Sequence, residues 1–558
     1  MKKNLMLLLI CILPLFGYSQ WTSNVAVNTL VKDNSGVSEV TPLSATANDG
    51  STYVSWFEST AATNYKLMMQ RISVTGQMLW GTTGITVSSF PQNSAIYRYD
   101  LNTDNEGNAV VVFQDERSGH LDIVAYKLDT AGNMLWGSSG IALTDSTSAQ
   151  GLGPTIGITS TNDVIIAWNA DAGNNKWIAF QKISAAGNVI WPSVKRIISG
   201  TVKYSRPTMV PATGEDFIML YVQESGSGFP PSSQMFSQRF DSNGDPVWTQ
   251  TVTVSMKMIP FFFFPKAVTD HNAGFYVSFS TSLNSNPTIG DVYVQHVDFT
   301  GALWSIDGII ASAYTTFHKF NPVLVTNADG TSSYVVMKFT DLNQSQSGIY
   351  IQKFNTAGFV QLGNNGVQVV PVQAAYNDPF GMAISPTGII TGYTIGNAPS
   401  QTMAAVKTDT TGNSVWVGNS VTLCSTISGK DDASCGVFMN NQLVFVWEDE
   451  RIDGGVYAQN ISDAGQVGPL TVSISENKTD AKYSLIENPS QTLQLFSKTI
   501  TENAIVKLTD VSGKKCGEYI WSNSNTFTLK TDLKSGLYIV QVKTSNDVFT
   551  SRWMKINN

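Results

Sequence analysis

Two stretches of the chain place carboxylates where they could work as acid and base. Gln114-Asp115-Glu116-Arg117 follows one apolar run, Glu448-Asp449-Glu450-Arg451 follows another, and Glu58 ends a third. Cleaving a glycosidic bond takes two carboxyls about 5–10 Å apart, one to give a proton and one to stabilise charge or activate water. Asp115, Glu116 and Glu448 are the residues that would form such a pair if the runs met at a common pocket. The same residues also read as a solvated turn closed by an ion pair of small energetic weight. The near-identity of the two four-residue patterns favours the turn, because a duplicated turn is inherited with the unit that carries it. No catalytic pair is assigned from the sequence.

Other reactive side chains are sparse. His120, His271, His296 and His318 are scattered, and the cysteines lack zinc-ligand spacing. There is no Gly-rich phosphate loop, no Gly-x-Ser-x-Gly elbow, no His-Glu-x-x-His and no EF-hand loop. The sequence therefore implies no metal and no cofactor. Cys424 and Cys435 stand eleven apart around a loop and form the natural pair if a disulfide exists; three buried free thiols, with Cys516, is the alternative. Trp80, Trp136, Trp191, Trp248, Trp304 and Trp416 could stack on sugar rings, but their fixed place in a repeat points to packing. The run Phe261-Phe262-Phe263-Phe264-Pro265 reads as a buried strand, or else as an apolar patch for a partner.

What positions these residues is a repeat. An apolar–Gln/Lys–basic–apolar block is followed by Asp, Ser or Asn, two residues, a glycine and usually a tryptophan. The glycines are Gly76, Gly132, Gly187, Gly244, Gly301, Gly358, Gly412 and Gly465; Leu362 replaces the sixth tryptophan and the eighth is missing. Each unit also holds a hairpin signal such as Asn48-Asp49-Gly50 or Asn105-Glu106-Gly107, whose Asn, Asp and Gly tolerate the positive φ of a tight turn. An apolar run comes next, such as Tyr53-Val54-Ser55-Trp56-Phe57 or Leu443-Val444-Phe445-Val446-Trp447. Five or six residues make a strand, and near-continuous apolarity predicts burial on both faces, as for a blade's inner strand. A Gly-Ile-x-Val-like strand closes the unit. Four strands per unit and eight units predict an all-β, eight-bladed β-propeller over 20–472, with seven blades as the alternative. The stretch from Trp21 to Val27 resembles the end of a unit and is placed to pair with the last one and seal the ring.

The chain has 558 residues, of which 14% are charged, against about 25% in an ordinary soluble domain. The formal net charge of −8 becomes −10 without Lys2 and Lys3, which argues against a nucleic-acid partner. Residues 1–19 have the parts of a signal peptide: basic Lys2 and Lys3, an apolar stretch from Leu5 to Leu15, and small residues around a cut before Gln20. No later stretch is apolar for long enough to predict a membrane span.

The repeat stops near residue 473, and 473–558 predicts a small antiparallel β-sandwich. Its motifs are Asn488-Pro489, Asp510-x-x-Gly513-Lys514, Leu533-x-x-Gly536-x-Tyr538 and the terminal Lys555-Ile556. In these residues the stretch resembles the type A C-terminal sorting domain of the type IX secretion system. The resemblance implies that the outer-membrane secretion machinery is a partner and that the product is released or held at the outer cell surface, the domain commonly being removed. The leading functional expectation is a monomeric, non-enzymatic propeller that binds a glycan or protein ligand through its loops. A polysaccharide hydrolase or lyase is the second expectation and a structural or adhesive surface component the third.

Overall fold

The computed structural model describes residues 20–558 except 62–63, 93–97, 144–147, 212–213, 227, 282–288, 471–482, 486–491, 502, 511–513, 531, 535, 545–547 and 556–558. The chain divides into two compact units, Met1–Leu470 and Thr471–Asn558.

The first unit is a ring of eight four-stranded antiparallel sheets. Taking blades 1 to 8 in chain order, the innermost strands are Glu39–Thr46, Asp100–Thr103, Gln150–Ile158, Lys203–Pro211, Lys266–Thr269, Phe317–Thr326, Asn377–Ser385 and Lys430–Cys435. Each lies against the next, and the eighth lies against the first. The ring is therefore closed, and the count is eight.

The continuous apolar runs are not innermost. Ala109–Asp115 and Gln442–Asp449, for example, are second strands, with a polar innermost strand inside each. The reason is where water reaches. An innermost strand borders the channel and keeps polar residues, whereas the second strand is covered by the blades on both sides. Ala109–Asp115 is buried at every position. The apolar contacts accordingly run from blade to blade. Tyr53, Phe57 and Met69 of blade 1 pack with Val111, Phe113 and Tyr126 of blade 2.

The repeated glycine and tryptophan are one contact made over and over. A Cβ on Gly132 would meet the Trp80 ring at 3.3 Å, and one on Gly187 would meet Trp136 at 2.7 Å. Each such glycine has φ near +90° and closes the turn between the third and fourth strands of its blade. The indole of the preceding blade lies over it and donates Nε1–H to a carbonyl of that turn: Trp80 to Thr130 at 3.2 Å, Trp136 to Ala185 at 3.2 Å, Trp248 to Phe299 at 3.1 Å. The block's glutamine braces the same turn, as Gln181 Nε2 donates to the Trp191 carbonyl at 3.2 Å. The tryptophans thus join the blades.

Blade 8 has no tryptophan at the repeat position after Gly465, and the N-terminus supplies one. Trp21 is buried against Gly76, and its Nε1 donates to the Val74 carbonyl at 2.8 Å. Thr29–Lys32 then pairs with Gly455–Ser462 as the outermost strand of blade 8. First and last segments of the unit share one sheet, so no strand edge is left open there.

Of the two readings of the cysteines, the structure has free thiols and no Cys424–Cys435 disulfide: Cys424, Cys435 and Cys516 are all free. Cys424 lies on the outermost strand of blade 7, Ser420–Ser428. Cys435 ends the innermost strand of blade 8 and faces Gly381 on the innermost strand of blade 7. Three strand spacings, about 14 Å, separate the two positions. A disulfide needs Cα atoms within about 7 Å.

The second unit holds a sheet of Tyr483–Leu485, Thr492–Thr501 and Ser524–Lys530, and a sheet of Lys515–Trp521, Ala504–Asp510, Gly536–Lys543 and Val548–Lys555. Leu493, Leu495, Val506, Leu508, Trp521, Val540 and Trp553 form one core from both sheets, as in a β-sandwich. Asp510 and Lys514 close a turn: the Lys514 N–H donates to the Asp510 carboxylate at 3.0 Å and the Asp510 N–H to the Lys514 carbonyl at 3.0 Å. Leu533 packs against the core, Gly536 opens a strand, and the buried Tyr538 donates its hydroxyl to the Lys534 carbonyl at 2.9 Å. Gly536 faces Lys555 across the ladder. Asn488, Pro489, Gly513 and Ile556 lie outside the described residues. No described helix is long and apolar enough to cross a membrane.

Candidate active site at the mouth of the ring

The structure separates the carboxylates that the sequence grouped. Asp115 is buried, and Arg117 donates to it through Nε at 2.9 Å and Nη2 at 2.6 Å, while also donating to the Tyr126 hydroxyl at 3.1 Å. Asp449 and Arg451 repeat that pair at 2.6 Å. Both are turn-fastening pairs. Glu58 is taken by Lys66 at 2.6 Å, and Glu116 stays in its turn. Glu448 is different. It sits opposite Asp431 in the ladder of blade 8 and accepts the Thr41 N–H of blade 1 at 2.9 Å.

That N–H is free because the innermost strands bulge. The pairing slips between Val40 and Leu43, Leu152 and Thr155, Ser205 and Thr208, Phe320 and Val323, and Asp431 and Ser434. Each slip contains a residue with positive φ: Thr41 at 52°, Gly153 at 57°, Arg206 at 56°, Asn321 at 47° and Asp432 at 46°. A β-branched threonine there is strained, and an extra residue in one strand re-aims its side chain. Between blades 3 and 4, Asn169 accepts the Arg206 N–H at 2.6 Å as Glu448 accepts that of Thr41. An amide is therefore enough for the clamp, and the clamp does not explain a carboxyl at 448.

Around Glu448 the ring carries charges that no ion pair absorbs. Arg98, Lys266, Asp431 and Asp432 belong to blades 2, 5 and 8, at the starts of their innermost strands and so at one end of the channel. All four are solvent-exposed, and none makes a salt bridge among the described residues. They nevertheless act on one another. Lys266 is pushed below its ordinary value by the surrounding protein first and by Arg98 next, against the pull of Asp100 and Asp432. Asp432 is raised by the same enclosure and by Asp431, against Arg98 and Lys266. Arg98 lies over the Phe264 ring of blade 5, 3.7 Å from its centroid. Glu448 is pushed up to about 7, by burial first and then by Asp432, Asp431 and Glu450, although the Thr41 N–H opposes this. The site thus sets Glu448, pushed up to about 7, beside Asp431 and Asp432, with Arg98 and Lys266 near enough to act on Asp432.

The phenylalanine run enters the same region and is not the buried strand expected. It lies between Val252–Thr253 and Lys266–Thr269 in a loop. Phe263 packs on a core, Phe264 carries Arg98, and Phe262 is 78% exposed.

Arg98, Lys266, Asp431 and Asp432 are not marked by any motif. One signal exists: Arg98 stands nine residues before the hairpin glycine Gly107, as Thr41 stands before Gly50 and Asn321 before Gly330. Aligning the units on that glycine exposes the bulge column, where the residue types diverge.

No known family model matches the chain, and no curated protein matches it. Among solved structures, the chain is similar to an ulvan lyase from a new family of polysaccharide lyases, with 11% identity over 80% of this chain and 98% of that one and a TM-score of 0.44. It is also similar to an α-L-arabinanase of Penicillium chrysogenum bound to arabinobiose, at 12% identity over 58% of this chain and 97% of that one, TM-score 0.33. An α-L-arabinofuranosidase of Fusarium graminearum bound to arabinobiose gives 12% identity, 56% and 92% coverage, and a TM-score of 0.34. The class of the protein is defined by its own strands: an eight-bladed all-β propeller followed by a small β-sandwich.

Proposed function

We propose that the propeller is a polysaccharide-cleaving enzyme acting at the mouth of its channel, a hydrolase in the first instance, in place of the binding module expected from the sequence. The observation that carries this reading is Glu448, a carboxyl held near 7 beside Asp431 and Asp432, on a ring whose other clamp of the same kind is an uncharged amide. A carboxyl with that proton affinity serves as general acid near neutral pH. Glu448 gives its proton to the glycosidic oxygen as the bond to the anomeric carbon breaks. Asp431 or Asp432 meets the positive charge that develops on the sugar or takes the proton of the attacking water. Lys266 and Arg98 hold hydroxyl or anionic groups of the chain.

A second reading rests on Lys266. An amine with lowered proton affinity is a base, and beside Arg98 it suits removal of the proton next to a uronate carboxylate in a lyase. The two reactions differ in product: hydrolysis gives new reducing ends only, and elimination also gives an ultraviolet-absorbing double bond.

The test is a polysaccharide panel incubated with the mature chain and its Glu448→Gln variant. Loss of cleavage by about a hundredfold or more in the variant is expected. Because the acid must be protonated, the wild-type rate falls as the pH rises through about 7. Full activity in Glu448→Gln removes Glu448 from the mechanism, and wild-type binding without cleavage returns the propeller to a recognition role.

Export through the C-terminal unit is part of the same proposal, supported by the motif order read in the sequence. The expected product in the medium or on the cell surface lacks both terminal segments, by intact mass. A cytoplasmic product with an intact C-terminus overturns it.

A further inference from the structure

The second–third strand loop of blade 4 and the connection from blade 4 to blade 5 share the face on which the innermost strands begin, and they bring three phenylalanines together. Phe229 is 81% exposed and Phe262 78%. The Phe229 and Phe261 centroids are 5.3 Å apart with planes at 69°, and those of Phe261 and Phe262 are 4.9 Å apart at 75°. An apolar side chain left in water forgoes the gain of burial.

The frame beneath is built and buried. Arg206, in the strained bulge conformation, donates to the carbonyls of Phe261 and Phe263, the latter at 2.9 Å. It also holds Glu224 at 3.2 Å and the Ser233 hydroxyl at 2.9 Å. Arg206, Glu224 and Ser233 are all buried. The Ile259 N–H donates to the Ser233 carbonyl at 2.9 Å, which ties the connection to the other loop's strand. A buried ion pair thus fixes the backbone on either side of the exposed Phe262.

We propose that Phe229, Phe261 and Phe262 form a stacking platform for a sugar ring of a polysaccharide whose neighbouring residues occupy the charged mouth. The inference rests on the reading of the mouth as a polysaccharide site. Three arguments select this occupant. Phenyl rings offer flat apolar faces and no hydrogen-bonding atoms, which matches the C–H face of a pyranose while its hydroxyls stay in water. The platform and the mouth share one segment, since Phe264, two residues beyond Phe262, carries Arg98. The area is too small for a protein: three phenylalanines expose well under the roughly 800 Å² that each side of a standard protein interface buries.

The test uses the mature chain in native gels containing arabinan, xylan, polygalacturonate or alginate. Wild type, Glu448→Gln, Phe229→Ala/Phe262→Ala and Phe262→Tyr are compared, with melting temperatures as the control for folding. Retardation of wild type and Glu448→Gln by the same polymer is expected, with the dissociation constant about tenfold or more higher in the double alanine variant, its melting temperature unchanged, and retention in Phe262→Tyr. Equal retardation of the double alanine variant and wild type overturns the platform and leaves the reading of the mouth to the cleavage assay. No retardation in any gel, together with no cleavage, overturns both. Self-association that the double alanine substitution abolishes, read by sedimentation without retardation, assigns the patch to a second copy of the chain and overturns the sugar.

Discussion

Trp21→Ala is expected to lower the stability of the propeller by about 3–5 kcal/mol, the usual cost of emptying a buried tryptophan site. The cost sits at the top of that range because Trp21 does two jobs. It fills the place of the repeat-position indole missing after Gly465, against Gly76, and it anchors the strand that completes blade 8. The segment behind it is fastened across the closure at several points. Asn28 Nδ2 donates to the Leu423 carbonyl at 2.7 Å, Gln459 Nε2 to the Thr22 carbonyl at 2.9 Å, and the Ser425 N–H to the Val25 carbonyl at 2.9 Å. Trp80→Ala is the control: the same contact between blades 1 and 2, made by a ring that is only half-buried and lies in mid-chain. Denaturant unfolding followed by fluorescence and by far-ultraviolet circular dichroism gives both stabilities. If Trp21→Ala costs no more than Trp80→Ala, the N-terminal segment does not seal the ring.

The same residues explain what could be read in advance. A repeat is legible when one contact recurs and each recurrence needs the same residue types. Gly187 must be glycine because its φ is positive and because Trp136 leaves no room for a Cβ, so the pair returns in unit after unit, and the eight blades follow from the count. Which strand is innermost was not legible, since an apolar run shows that both faces are covered without showing by what. The mouth was hidden for the opposite reason to the repeat. Arg98, Lys266 and Asp432 come from blades 2, 5 and 8, and each departs from what its neighbours carry at that place. They share one end of the channel because each stands at the start of its innermost strand, and Asp432 alone lies in a slip of register, which leaves no mark on the period. The duplicated Asp-Glu-Arg stretches form turns fastened by Asp115–Arg117 and Asp449–Arg451, yet one position earlier the copies differ, Gln114 against Glu448, and that difference matters most.

The second large effect is expected at Asp449, because blade 8 sets a buried lysine against this carboxylate, whereas the described ion pair of Asp115 in blade 2 is with Arg117. Asp449 is fully buried, and so is Lys430 at 3.1 Å from it. The carboxylate also accepts from Ser428 at 2.7 Å, the Trp447 indole at 2.8 Å and Arg451 at 2.6 Å. Burial alone would raise its proton affinity. The hydrogen bonds from Arg451, Ser428 and Trp447 and the charge of Lys430 outweigh burial and hold the carboxyl down at about 2. Asp449→Asn leaves the Lys430 ammonium enclosed without a counter-charge, and breaking a buried pair in this way costs about 3–5 kcal/mol. Asp115→Asn removes the matching carboxylate of blade 2, whose partner Arg117 reaches solvent, and costs less. The pH dependence follows from the direction of the shift. A carboxyl whose affinity is lower folded than unfolded stabilises the fold wherever the unfolded chain would also be ionised, above about 4, and that contribution fades as the pH falls toward 2. The stability gap between wild type and Asp449→Asn, measured by urea unfolding, is therefore widest near neutral pH and narrows by about 2.5 kcal/mol on descending through that window. A gap that stays constant from pH 7 to the acid limit shows that the lost hydrogen bonds, and not the charge on Asp449, set its size.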